Sequence, residues 1–384
     1  MNFETENKNK DSHFETLSAG ETRRYNRHII LPEIGSLGQL KLKNAKVLVV
    51  GAGGLGCPVL MYLAAAGVGN IGIIDFDKID ESNLQRQILY STDDIGKYKA
   101  EVAKLKLSKQ NPYIQITSYT KQFSFSNAIE IAAEYDVIVD GTDNFSSRYL
   151  LNDVCIKTNK PLVAASIFKF EGQLSVYNYK NGPTYRCLFP EPPTDSLNCS
   201  EIGVIGVLPG ILGTLQANEV IKIITGIGKV LSGRLLFIDA LTLQFRELEF
   251  EKNTLNSTVN FSEDKYDYVK CETDKVISTI KEITPSQLKQ KLDSNEQLII
   301  IDVREKFEYD ICNLNGVLIP LNELEKNIHK IPRDKNVIIM CHHGRRSRLA
   351  IELLQQKHNY KNLLNLSEGI NGWSMQIDNT IQQY

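Results

Sequence analysis

The chain of 384 residues predicts an α/β fold: a doubly wound, mostly parallel sheet followed by a smaller α/β domain. Three observations carry this expectation. Short β-branched runs alternate with helical patterns from about residue 21 to 250. A polar, aperiodic stretch over 251–281, beginning Glu-Lys-Asn-Thr-Leu-Asn-Ser-Thr, has the composition of a linker. A second strand–helix alternation then occupies 282–384, long enough to fold alone.

The elements follow in order. Residues 1–20 are polar and are expected to form a disordered tail. Strands are expected at 46–50, 71–75, 135–140, 161–166, 173–179 and 234–239, with helices near 57–66, 97–109, 146–158 and 207–224. Residues 47–74 carry no charge and are long enough to cross a bilayer. Seven glycines and Pro58 break that stretch into strand, turn, helix and strand. Pro58 suits a first helical turn, and Gly67 and Gly69 suit its end. In the second domain a helix is expected at 285–292, a strand at 297–302, a strand at 336–340, a helix at 347–357 and a strand at 363–366.

Composition narrows the function. Hydrophobic content of 42% and charged content of 23% are those of a globular protein, and a net charge of −2 argues against a general nucleic-acid or membrane-surface binder. Seven cysteines in this length make no disulfide framework, and Met1 is followed by polar sequence without a secretory apolar segment. The expected compartment is the cytosol.

The chemistry begins at Lys46-Val-Leu-Val-Val-Gly51-Ala-Gly53-Gly54-Leu-Gly56, a strand running into a glycine turn. Such a turn brings backbone N–H groups close to phosphate at a helix start, in the Rossmann-like manner, and Asp75 falls where a ribose-binding carboxylate belongs. Arg86 and Lys99 add two cations, which a triphosphate needs and a dinucleotide turn does not. Asp143, in Gly141-Thr-Asp143, can hold Mg2+ at a strand end. It could equally cap the helix that follows.

Several stretches in the right order closely resemble the MoeB/ThiF/HesA adenylyltransferases, bacterial relatives of ubiquitin-activating enzymes. They are Arg24-Tyr-Asn-Arg27-His-Ile-Ile-Leu, the glycine turn, Asp75-Phe-Asp-Lys-Ile-Asp-Glu-Ser-Asn83-Leu-Gln-Arg86-Gln and Gly141-Thr-Asp143-Asn-Phe. The resemblance implies that Gly51, Gly53, Gly54, Gly56, Asp75, Asn83, Arg86 and Lys99 bind ATP, and that Asp143 binds Mg2+. It implies a homodimer in which Arg27 reaches the phosphates of the partner's site. It further implies a carrier protein ending in Gly-Gly, whose terminal carboxylate becomes an acyl-adenylate. Many relatives hold a structural zinc through two Cys-x-x-Cys pairs. Here the first reads Thr184-Tyr-Arg-Cys187 and no second follows Phe250, so no zinc site is expected. Cys199, in Leu197-Asn-Cys199-Ser-Glu, matches a cysteine that some relatives join covalently to the carrier; its bland alternative is a small loop residue. Cys57 and Cys155 are expected to be packing residues.

The second centre is Cys341-His-His-Gly344-Arg345-Arg346-Ser347, between an apolar strand and a helix. A cysteine there faces backbone N–H groups, a helix N-terminus and two arginines, surroundings that favour thiolate. Adjacent histidines in a tight loop cannot easily share one metal ion, so a metal site at His342 and His343 is rejected. With Asp302-Val-Arg304-Glu upstream and Gly369-Ile-Asn-Gly-Trp373 downstream, the region resembles a rhodanese domain, in which the cysteine carries sulfane sulfur as a persulfide. Related phosphatases use Cys-x5-Arg, whereas the arginines here fall four and five places after Cys341. Cys312 lacks such a setting.

Together the two resemblances imply adenylation of a ubiquitin-like sulfur carrier of the molybdopterin or thiamine type, then sulfur transfer from Cys341 to give a thiocarboxylate. A cysteine desulfurase is the implied sulfur donor. Tethering through the linker would raise the effective concentration of the second domain to about the mM range. An NAD(P)-dependent oxidoreductase would use the glycine turn and Asp75 but leave Arg86, Lys99 and Asp143 idle. A non-catalytic sulfur-relay scaffold would have no need of those three residues.

Overall fold

A computed structural model of the chain describes residues 16–191, 203–254, 261 and 280–382. It divides into two compact units, Met1–Lys270 and Cys271–Tyr384. Most of the linker expected at 251–281, and Cys199, lie outside the described residues.

The first unit opens with three short helices, α1 (Ala19–Arg24), α2 (Asn26–Ile29) and α3 (Gly35–Asn44). The tail expected to run to residue 20 ends earlier, because Ser18 and Glu21 form a reciprocal capping box that fixes the start of α1. The chain then forms β1 (Lys46–Val50), α4 (Gly56–Ala66), β2 (Asn70–Ile74), α5 (Lys99–Gln110), β3 (Gln115–Tyr119), α6 (Phe125–Ala133), β4 (Val137–Asp140) and α7 (Phe145–Thr158). It continues through β5 (Leu162–Phe168), β6 (Glu171–Tyr177), α8 (Tyr185–Leu188), α9 (Val207–Thr225), β7 (Arg234–Asp239) and β8 (Gln244–Glu249). The sheet order is β3-β2-β1-β4-β5-β6-β7-β8. Its first five strands are parallel and the last three join antiparallel.

Period-two alternation explains the layering. Val47 and Val49 of β1 point into a core shared with Leu60 and Leu63 of α4 and Leu212 of α9. Leu48 and Val50 point into the opposite core, with Ile131 of α6 and Leu151 of α7. Burial on both faces is why this strand reads as a continuous apolar run. The uncharged stretch 47–74 is therefore β1, α4 and β2. Among the described residues α9 alone is long and apolar enough to cross a membrane. It packs on α4, β5 and β6, and its buried Gln216 donates to the carbonyls of Asp140 and Val163 at 2.8 and 3.2 Å.

The second unit contains β9 (Lys281–Ile283), α10 (Pro285–Asp293), β10 (Leu298–Asp302), α11 (Lys306–Ile311), β11 (Val317–Leu318), β12 (Asn336–Met340), α12 (Arg345–His358), β13 (Leu363–Leu366) and α13 (Gly369–Gln376). Its five strands are all parallel, in the order β11-β10-β12-β13-β9. Thr284 caps α10 with Gln287 and Pro285 in the first turn, a start signal visible in the sequence. The elements absent from the sequence reading are mostly short or at sheet edges. β8 is exposed at every position and β3 at its outer positions, so neither shows the apolar run that marks a central strand.

Candidate functional site

Strand order reverses between β1 and β4, which opens a crevice at their carboxyl ends. The loops after β1, β2 and β4 converge there and line one cleft with Gly51, Gly53, Gly54, Asp75, Arg86, Lys99 and Asp143. Gly51 adopts φ +92°, and a β-carbon on it would lie 2.6 Å from the Gly141 carbonyl oxygen. Only glycine lets these two loops meet backbone to backbone. Gly56 does not line the cleft. It starts α4, where a β-carbon would sit 2.0 Å from the Gly51 oxygen, so its part is to close the turn.

Asp75 is braced by the turn it serves. Its Oδ2 accepts from the Ala52 N–H and its Oδ1 from the Asp77 N–H, each at 2.8 Å. Burial pushes its carboxyl above the usual carboxylate range, while the Lys99 charge and these two amides pull the other way. Lys99 is 6% exposed and its ammonium donates to Asp77 Oδ2 at 2.9 Å. Arg86 donates from Nη1 to the Ser82 carbonyl at 3.0 Å. Asn83 is not part of the cleft wall. Its carbonyl accepts from the N–H groups of Arg86 and Gln87, at 3.1 and 2.9 Å, and so builds the turn that presents them.

The two readings of Asp143 separate cleanly. Asn144 is the N-cap of α7, accepting from the Ser147 N–H at 2.9 Å. Asp143 itself is exposed in the cleft, with no hydrogen-bond partner for its carboxylate among the described residues. The loop that carries it is held from below by residues the sequence reading passed over. Buried Asp140 accepts from the Thr142 N–H and hydroxyl at 2.9 and 2.6 Å, and from Arg148 Nε at 2.9 Å. Burial opposes charge on Arg148, but Asp140 and Tyr185 together more than offset it and raise the guanidinium pKa. Asp140, directly before Gly141 at a strand end, is the signal that could have been read. Lys121, Gln122 and Phe123 also line the cleft, beyond the overlooked β3.

The remaining positions in this unit fall elsewhere. Arg27 lies on α2 and does not line the cleft of its own chain; nearby Ile30 is 57% exposed. Cys57 and Cys155 are buried; burial pushes the Cys57 thiol up to about 12 and raises that of Cys155 further. Neither suits nucleophilic chemistry. Cys187 Sγ accepts from the N–H groups of Thr184 and Asn253, both at 3.3 Å. Among the described residues there is no cluster of three or more His, Cys, Asp or Glu arranged to hold a metal.

In the second unit Cys341 follows β12 and is 1% exposed. Its sulfur accepts from the Gly344 N–H at 3.1 Å and from the Ser347 hydroxyl at 3.4 Å. Gly344, at φ +89°, is the N-cap of α12, and a β-carbon there would lie 2.2 Å from the Ser367 carbonyl oxygen. The loop is clamped from its far side, because the Ile370 and Asn371 N–H groups donate to the carbonyls of Cys341 and His342 at 2.9 and 3.1 Å. Arg346 is held by Glu308 through two bonds of 2.6 and 2.7 Å. Arg304 is fully buried against Asp302 and donates to the Cys312 carbonyl at 2.7 Å. Burial, then the neighbouring His343, drives His342 down to about 4. Ser347 enters the sequence analysis only as the residue at a loop-length position; the structure makes it a donor to the Cys341 sulfur.

Comparison with known proteins agrees with both geometries. Residues 25–259 match the ThiF family and 284–376 match the rhodanese-like domain. The "probable adenylyltransferase/sulfurtransferase MoeZ" of Mycobacterium tuberculosis is 40% identical over 380 residues, covering 96% of each chain. The "adenylyltransferase and sulfurtransferase MOCS3" of Drosophila sechellia is 40% identical over 385 residues, covering 94% of this chain and 85% of that protein. Among solved structures, E. coli MccB with ATP superposes with a TM-score of 0.51 at 27% identity, over 57% of this chain and 68% of its own.

Proposed function

The chain belongs to the ThiF family and carries an appended rhodanese-like domain, and from that premise we propose that it activates and then sulfurates the C-terminus of a ubiquitin-like sulfur-carrier protein. The observation that carries this reading is the convergence of Arg86, Lys99 and the unpartnered Asp143 carboxylate on one glycine turn at the switch point of the sheet. Adenylation is assigned to residues 21–250 and sulfur handling to residues 282–384.

In the first step an oxygen of the carrier's terminal Gly-Gly carboxylate attacks the α-phosphorus of ATP. The bond to the β-phosphate oxygen breaks, pyrophosphate leaves and an acyl-adenylate remains. A carboxylate resists nucleophilic attack, and AMP is a far better leaving group than oxide. The amides of the 51–56 turn cradle the phosphates, Asp75 accepts from ribose hydroxyls, and Arg86 and Lys99 stabilise the charge that grows on departing pyrophosphate. An exposed carboxylate without a protein partner suits Mg2+, which binds through one or two carboxylates and substrate phosphates. Held by Asp143, the ion would neutralise phosphate charge.

In the second step the outer sulfur of a Cys341 persulfide attacks the acyl carbon and expels AMP, leaving an acyl disulfide on Cys341. A second thiolate, assigned to Cys199, attacks the Cys341 sulfur. The thiocarboxylate leaves and a Cys199–Cys341 disulfide remains, to be reopened by an external thiol reductant. Persulfide on Cys341 is supplied by a cysteine desulfurase. The working form is a cytosolic homodimer; Arg27, which does not line its own cleft and lies beside exposed Ile30 and Leu31, serves the partner's site. Carriers of the molybdopterin or thiamine type fit this chemistry.

Exchange of labelled pyrophosphate into ATP, tested with purified protein and candidate carriers, checks the reading. Exchange is expected only with Mg2+ and a carrier ending in Gly-Gly. Tight NADH binding without any such exchange would overturn it in favour of an oxidoreductase.

A further inference from the structure

Arginine grips oxyanions well, because its planar guanidinium presents paired donors to two oxygens at once. The Cys341 loop carries two arginines, and the fold treats them differently. Arg345 stands exposed at the first position of α12. Arg346 is held against α11, where Nη1 and Nη2 donate to the two carboxylate oxygens of Glu308 at 2.6 and 2.7 Å. A sulfonate or phosphate would need that same pair of donors.

Glu308 is no passing surface partner. It is 6% exposed, and its Oε2 also accepts from the Glu305 N–H at 2.9 Å, in the capping box of α11. Its carbonyl accepts from Arg304 Nη1 at 3.4 Å, and Arg304 is fixed on Asp302 through Nε and Nη2 at 3.0 and 2.6 Å. Asp302 ends β10 and stands in register with Met340, the residue before Cys341. The carboxylate is therefore anchored to the strand pair that delivers the sulfur. Both charges of the pair bear on the ring of His342, the residue after Cys341, in opposite directions. An oxyanion arriving there must displace a resident carboxylate or face its repulsion.

We propose that Glu308 is a specificity-determining residue of sulfur loading: by occupying both terminal nitrogens of Arg346, it turns the Cys341 loop away from oxyanion-bearing donors such as thiosulfate and toward persulfides. The inference rests on the sulfur-transfer reading given above and deepens it. With thiosulfate, the Cys341 thiolate attacks the outer sulfur, the S–S bond breaks, and sulfite leaves with the bonding pair. With a persulfide R–S–SH, the same attack expels the thiolate R–S−, and the proton stays on the new persulfide. Cys341 ends in the same state either way. The difference is the sulfonate that only the first donor brings to Arg346.

The test follows persulfide formation on Cys341 in the full-length protein by peptide mass spectrometry, as donor concentration is varied. The donors are thiosulfate and the persulfide of 2-mercaptoethanol, which has no oxyanion. In Glu308→Gln the amide keeps the shape and one accepting oxygen but drops the charge. The ratio of half-saturating concentrations, thiosulfate over persulfide, is expected to fall about tenfold relative to wild type. Adding Arg346→Met is expected to return the ratio to within about twofold of wild type, because the freed guanidinium carries the gain. A ratio unmoved in Glu308→Gln would overturn the assignment, as would a gain that survives Arg346→Met. Loss of loading from both donors in Glu308→Gln would overturn it too, since Glu308 would then hold the loop together and select nothing. Failure of the wild-type protein to load sulfur from either donor would instead sink the sulfur-transfer reading itself.

Discussion

The two centres solve opposite problems of placement. The cleft gathers groups from positions 51 to 143, spread over the four loops after β1, β2, β3 and β4, and leaves Asp143 exposed. The Cys341 centre is one contiguous loop whose sulfur is almost wholly enclosed and is contacted by donors three and six residues on. The first depends on long-range assembly by the sheet, with a buried Asp140–Arg148 pair as its brace. The second depends on local turn geometry at Gly344 and the start of α12. On the proposed reading, the site that admits a triphosphate is built wide and shared among elements, and the site that guards one sulfur is built tight within one.

That contrast can be broken or sharpened by experiment. Cys341→Ala is expected to abolish thiocarboxylate formation, read by mass spectrometry of the carrier, while pyrophosphate exchange proceeds at the wild-type rate. Loss of both activities together would show that the centres are not separable. Asp143→Ala should lower the exchange rate by about 10²–10³. Its melting curve should not move, since the carboxylate has no partner to lose. Ser347→Ala removes one neutral donor from the sulfur, so sulfur transfer should slow by about fivefold, with exchange unaffected. The smallest effect concerns pH. His342 is held near 4 in the folded protein against an ordinary value of 6.5, so the unfolded chain binds its proton first as acid is added. Stability of the second unit should therefore fall as pH drops from about 6.5 to about 4 and level off below that. Urea titrations across that range should show the slope reduced in His342→Asn.

Legibility in the sequence followed the same contrast. The central strands were plain because burial on both faces makes 47–50 and 337–340 unbroken apolar runs. The short or exposed pieces β3, β8, β9 and β11 gave no comparable pattern, since their partners and not their own residues hold them in place. Cys341 was visible because its loop is contiguous. In the cleft the charged motif residues were visible, but their division of labour was not. Asn83 and Gly56 shape turns instead of lining the wall, and only coordinates separate Asn144 as cap from Asp143 as open carboxylate. Arg148 was hidden because a buried polar residue announces itself through its partners, which a linear chain does not display.

The pairing of Lys99 with Asp77 has a consequence for how substrate enters. A long flexible amine would otherwise have to be straightened and stripped of water when the nucleotide arrives. On the proposed reading the Asp77 carboxylate acts as placeholder, holding the ammonium in position until a phosphate displaces it. Loading of the cleft, as proposed, would then be an anion exchange on a preset cation, with the entropy of ordering that side chain already spent during folding.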